Sequence, residues 1–242
     1  RKLDWEQFMQ DDICYLSYTG RRFGKGNYLD LEYLEGKIEQ CKPEMKEQLY
    51  QEDVVNKMAE CAGITKDIVK ANDNGTGGAQ YLIKGVDWKF WKNVYDSCIK
   101  MRPYLMIVNQ QYFPGETPQD RENNGFQSFC TDMWAVLYNL WREGKKTECP
   151  KELDFAWGTD PIERLDEVYI YHNAGITGRK MNLNGEEVNT FFKGAYANNG
   201  LVPSEEIEYL QSICPKYCNY YYAQSLLEVK NPYSKNINLQ TT

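Results

Sequence analysis

The chain has 242 residues, 42% of them apolar and 26% charged, with a formal net charge of −7. That is enough chain for one large domain, able to bury roughly 70–75% of its unfolded surface. The acidic balance excludes an extended nucleic-acid surface, which needs many Lys and Arg against phosphates, and no run approaches the ~20 apolar residues of a membrane span.

In chain order, Asp12–Tyr18 (D-I-C-Y-L-S-Y) reads as a short buried strand, followed by a glycine-rich, basic loop over Thr19–Asn27. Helical spacing covers Leu31–Gln40 and Pro43–Cys61, the second carried by Leu49, Val54, Met58 and Cys61 and ended by Gly63. Asp67–Ala71 (D-I-V-K-A) reads as another short strand. Residues 72–82 (N-D-N-G-T-G-G-A-Q-Y-L) form a polar turn that collapses into Gly77-Gly78, where backbone can approach a ligand or another segment closely.

Residues 87–108 read as a long helix with Trp88, Trp91, Val94, Tyr95 and Cys98 on one side, and 109–125 as an exposed, proline-bearing loop. Residues 126–143 give the clearest helix, with Met133, Val136, Leu137, Leu140 and Trp141 in one stripe and Asp132 near its start. Leu153–Trp157 and Val168–Tyr171 read as two strands and Thr190–Lys193 as a third; helices are expected over 203–212 and 219–230. Strands alternating with helices predict an α/β fold.

The eight cysteines, at 14, 41, 61, 98, 130, 149, 214 and 218, mostly sit inside apolar patterns. That pattern points to reduced thiols in a reducing, cytoplasmic compartment. Cys214 and Cys218 have no second pair at zinc spacing and no nearby histidine.

His172, the only histidine, follows V-Y-I-Y and precedes N-A-G. Other polar motifs also follow apparent strands: G-T-D-P after L-D-F-A-W, and G-G-A-Q. In open α/β sheets ligands collect beyond the carboxyl ends of strands, so the shared placement makes these motifs candidates for one site.

The order G-G-A-Q-Y-L, F-Q-S-F-C-T-D-M-W-A-V-L-Y-N-L-W, L-D-F-A-W-G-T-D-P-I-E-R, Y-H-N-A-G-I and F-F-K-G-A-Y resembles GT-A-type glycosyltransferases encoded by phages, large viruses and bacteria. The resemblance covers roughly residues 12–225. It implies a GT-A-like (Rossmann-like) mixed β-sheet flanked by helices, in a single domain over 1–242. It also implies a nucleotide-sugar donor, a carbohydrate or other hydroxyl acceptor, and a divalent cation (Mn²⁺ or Mg²⁺). By resemblance His172 is the metal ligand. Asn173, Gly175 and Lys193 lie on the donor diphosphate, and Gly77, Gly78, Gln80 and Trp157 on substrate. Asp132 faces donor sugar or acceptor hydroxyl, and Asp160 binds acceptor or acts as general base. Each has an ordinary alternative: a packed histidine, a solvated lysine, a carboxylate complementing a helix dipole at Asp132, a turn residue at Asp160 and a tight turn at the glycines.

One departure stands out. GT-A enzymes usually carry Asp-x-Asp after a hydrophobic strand, and Asp30-Leu31-Glu32 is a weak substitute here. The expectation is that a nucleotide-binding portion precedes Arg1, leaving this chain inactive by itself. The runner-up is a non-catalytic carbohydrate- or partner-binding domain on the same fold. A hydrolase using Asp154 and Asp160 is the weaker third reading.

Overall fold

The computed structural model describes residues 3–17, 29–173, 179–181, 187–191 and 203–230. The chain gathers into two compact units, one spanning Asp4–Leu153 and the other beginning at Asp154. The class is α/β, with helix predominating. The strands do not join one helix-flanked sheet. Among the described residues they form one three-stranded and two two-stranded sheets.

In the N-terminal unit, β1 (Cys14–Ser17) is buried at all four positions. It lies between β2 (Gly78–Leu82), antiparallel, and β3 (Thr147–Glu148), parallel. A continuous apolar run suits such a central strand. β2 belongs to the stretch read as a turn; Gly78 starts a strand. Its register slips between Leu16 and Ser17, where Ser17 pairs with Gly78, so Ala79 and Gln80 bulge out and Ala79 takes φ 66°.

Helix α1 (Leu31–Glu39) starts where the Asp30 carboxylate accepts the Tyr33 N–H at 2.8 Å. The expected helix over Pro43–Cys61 is interrupted: a 3-10 turn at Pro43–Met45 leads to α2 (Lys46–Glu52) and α3 (Val54–Cys61). The break is Asp53, in the left-handed region at φ 45°, a conformation Asp tolerates better than most residues. α4 (Lys66–Asn72) is a helix where D-I-V-K-A suggests a strand; the run is too short for its periodicity to discriminate.

α5 (Trp88–Tyr112) and α7 (Thr131–Arg142) pack together at the centre of the unit. α7 is buried at every position from Trp134 to Trp141, as a helix apolar on all sides should be. Both of its buried indoles are paired: the Trp134 indole donates to the Leu29 carbonyl at 3.1 Å and the Trp141 indole to the Thr147 hydroxyl at 3.0 Å. α5 faces this core with Phe90, Val94, Met101, Leu105 and Val108; of the side read from the sequence, Val94 is buried while Trp88, Trp91 and Tyr95 are exposed.

The segment read as an exposed loop over 109–125 instead extends α5 to Tyr112 and adds α6 (Pro118–Asn124), which carries a Thr117/Asp120 capping box. Asn109 is fully buried. It donates to the Phe126 carbonyl at 2.7 Å and accepts the Phe126 N–H at 2.9 Å.

In the C-terminal unit, β4 (Phe155–Trp157) and β5 (Ile170–His172) pair in parallel, with Phe155 opposite Ile170, Ala156 opposite Tyr171 and Trp157 opposite His172. Parallel strands require a crossover, and residues 158–169 supply it through a 3-10 turn at Ile162–Asp166. β6 (Arg179–Met181) and β7 (Glu187–Asn189) form an antiparallel pair. Of the strand expected over Thr190–Lys193, Thr190 and Phe191 directly follow β7, and 192–193 lie outside the described residues. Helices α8 (Pro203–Gln211) and α9 (Cys218–Lys230) complete the unit.

Ala156, Val168 and Cys218 form one small core with Leu165 and Tyr171 against it. Phe191, Leu210, Ile213 and Ala223 form a second. All eight cysteines are free thiols. Among the described residues no helix is long and apolar enough to cross a membrane.

Candidate functional site

The best-defined part of the expected site is the carboxyl edge of the β4–β5 pair. Parallel register sets Trp157 and His172 side by side as the last residues of their strands. Their rings meet edge to face, centroids 5.0 Å apart at 86°, and both residues are half-buried. Phe155 adds a third ring, 5.1 Å from His172 and 5.0 Å from Trp157. Sequence reasoning passed over Phe155, although two-residue alternation in F-A-W places it on the same strand face as Trp157. Tyr171 faces the other way and stacks on Tyr222 of α9, at 5.9 Å and 29°.

The turn after β4 is fixed from two directions. The Asp160 carboxylate accepts the Trp157 N–H at 2.8 Å, while the Asp160 N–H donates to the Trp157 carbonyl at 3.0 Å. The first N–H groups of α9 then take the loop's carbonyls: Cys218 N–H to Asp160 and Asn219 N–H to Gly158, each at 2.9 Å. A helix's opening N–H groups need partners outside the helix, and here they clamp Trp157-Gly158-Thr159-Asp160 in place. Asp160 therefore serves its own turn and stands three residues beyond Trp157. Asn173, half-buried, continues the chain directly after His172. Gly175 and Lys193 lie outside the described residues.

The remaining candidates sit in the N-terminal unit. Gly77 and Gly78 are buried, and the close approach they permit is to the protein itself. A Cβ on Gly77 would lie 2.5 Å from Cys149 Sγ and 2.6 Å from the Ser17 carbonyl oxygen. One on Gly78 would lie 2.7 Å from Leu29 Cδ1 and 3.0 Å from Met133 Sδ. The second contact brings the double glycine to the start of α7, beside Asp132.

Gln80 is tied into the strand pair. Its N–H donates to the Ser17 hydroxyl at 3.1 Å, and that hydroxyl meets the Gln80 side-chain oxygen at 2.6 Å. Ser17 is thus a second residue that sequence reasoning missed, visible only once β1 and β2 are registered. Asp132 is exposed in the first turn of α7, where a carboxylate complements the helix dipole. Burial, and after it the Asp132 charge, pushes the neighbouring Cys130 thiol up to about 12. The same two causes raise Cys98.

The described residues do not fit the expected metal site. No three His, Cys, Asp or Glu side chains among them gather to hold an ion, and His172 is lined by the Phe155 and Trp157 rings. Nor do Cys214 and Cys218 make a metal knuckle: the Cys218 thiol is buried and donates to the Pro161 carbonyl at 3.0 Å. Asp154 and Asp160 do not form a hydrolase-like pair of uncommitted acids, because Asp154 is ion-paired to Arg164 at 2.6 Å. Comparison with protein-family models, with curated proteins and with solved structures finds no match to this chain.

Proposed function

We propose that the chain is a GT-A-like glycosyltransferase, or most of one, and that the carboxyl edge of β4–β5 contacts the sugar of a nucleotide-sugar donor. The single observation carrying this reading is the parallel register that sets Trp157 and His172 together at two strand ends. Strand carboxyl ends are where open α/β sheets collect ligands. An indole ring offers a flat apolar face for the C–H side of a sugar ring. His172 offers ring nitrogens that can accept from or donate to hydroxyls or a diphosphate.

In this reading the clamped turn positions Asp160 beside the stacked sugar, where a carboxylate can draw the proton from an attacking acceptor hydroxyl. Asn173, Gly175 and Lys193 keep the diphosphate role that the family resemblance gives them. A divalent cation would neutralise the leaving diphosphate; the described residues alone do not make its site.

The second reading is a carbohydrate-binding domain on the same framework that holds sugar without turning it over. A panel of UDP and GDP sugars separates the two. Saturable binding with transfer of the sugar to an acceptor hydroxyl and release of free nucleoside diphosphate supports the transferase. Saturable binding of sugar with no release over hours supports the binding domain. A melting temperature unmoved by the whole panel opposes both.

A further inference from the structure

A cavity of about 490 Å³ opens in the C-terminal unit between the 3-10 turn at Ile162–Asp166, β5 with the residues before it, and α9. It lies within the roughly 300–1,000 Å³ range of small-molecule sites. Leu165 is part of its apolar lining, and among the described residues its polar side chains are of two kinds: the carboxylates of Glu163 and Asp166, and the tyrosines Tyr169, Tyr171 and Tyr221. The nucleotide-sugar reading uses none of these residues.

We propose that this cavity binds an organic cation, a small ligand with an alkylammonium head. The 3-10 turn has three residues per turn, so Glu163 and Asp166 are eclipsed on one side of it. That arrangement stacks two negative charges at the cavity. Among the described residues no Lys or Arg lines it to offset them. Arg164, the base within the turn, is turned to other acids, pairing with Asp154 at 2.6 Å and with Glu167.

The aromatic lining matches the same ligand. Tyrosine rings carry negative faces that attract a cation, and Tyr169 and Tyr221 remain 42% and 62% exposed. Tyr171 is held in place by its stack on Tyr222. The Tyr171 hydroxyl is buried without a hydrogen-bond partner. Burial, with the nearby Cys218 next, pushes its proton affinity up, so it presents a neutral ring. An anionic ligand would meet two uncompensated carboxylates. A neutral ligand would leave them facing each other, whereas an ammonium head satisfies both and the ring faces together.

The test uses the 242-residue chain and ligand-observed NMR titrations. The probes are choline, the uncharged isostere in which carbon replaces the choline nitrogen, and the blocked lysine N-acetyl-lysine amide. At least one ammonium probe should bind about tenfold more tightly than the neutral isostere. Preference for choline identifies a quaternary head, and preference for the lysine derivative a primary one. Glu163→Gln and Tyr221→Ala, both at exposed positions, should each weaken that binding several-fold, while Tyr221→Phe keeps it because the ring face is retained. Equal binding of charged and neutral probes, no binding of any, or unchanged affinity in both weakening variants with wild-type circular dichroism would overturn the proposal.

Discussion

Lys84 shows how one side chain organises the edge of the N-terminal sheet. Its ammonium bonds the Asp11 carboxylate at 2.9 Å and the Asp11 carbonyl at 2.7 Å, and lies over the Tyr15 ring at 5.0 Å. The Tyr15 hydroxyl donates to the other Asp11 oxygen at 2.6 Å. That hydrogen bond first, and Lys84 second, hold the Asp11 carboxyl at about 2 against an ordinary 3.8. A depressed carboxyl contributes stability above its unfolded value and loses it as pH falls through the folded one. Urea midpoints of wild type and Asp11→Asn should therefore differ most at neutral pH and converge between about 3.8 and 2. A constant difference across that window would show that Asp11 acts through shape alone.

The glycines separate in the same residue-by-residue way. Gly77→Ala drives a methyl into Cys149 and the Ser17 backbone and should cost about 2 kcal/mol in urea unfolding. Gly36→Ala, inside α1 with nothing within 4 Å, should instead stabilise by about 0.5–1 kcal/mol. The letters G-G alone do not distinguish a ligand cradle from a packing seam. The identity of what fills the space, here Cys149, Leu29 and Met133, is long-range information.

At the scale of elements, the crosslink from Asn109 to Phe126 is the clearest case of a polar residue serving structure. Asn109→Ala leaves a buried N–H and a buried carbonyl without partners and should cost about 3 kcal/mol. A loss under about 1 kcal/mol in chemical denaturation would mean water replaces the amide.

Short apolar strands and helices with clear start signals were legible in the sequence: β1, β4, β5, α1 and α8 all lie within a few residues of their expected positions. The failures have physical causes. D-I-V-K-A is shorter than the period needed to tell helix from strand, so α4 was misread. Along α5 two apolar stripes compete. The Trp88-Trp91-Tyr95 stripe covers only the first two turns, whereas Phe90-Val94-Met101-Leu105-Val108 runs its length and takes the core. Beyond α5, P-G-E-T-P resembles a loop because the capping box that starts α6 is itself built from turn residues.

For the whole molecule, the α/β class was legible but the partition was not. Which strand joins which sheet depends on pairing between distant segments, and the division near Asp154 leaves no composition change or linker in the sequence. The expected site was legible as an ordered set of motifs. Gly77, Gly78, Gln80 and Asp132 belong to the N-terminal unit, and Trp157, Asp160, His172 and Asn173 to the other. What the sequence could not supply is the neighbour of each residue: the rings around His172, the turn held by Asp160, the hydroxyl on Gln80.

The functional account rests on the Trp157–His172 edge, and calorimetric titration of UDP and GDP sugars into wild type, Trp157→Ala and His172→Ala tests it most directly. The account predicts saturable binding of at least one donor by wild type, weakened about tenfold or more in each variant at unchanged melting temperature. Wild-type affinity in both variants, or no binding of any donor to the intact chain, would contradict it.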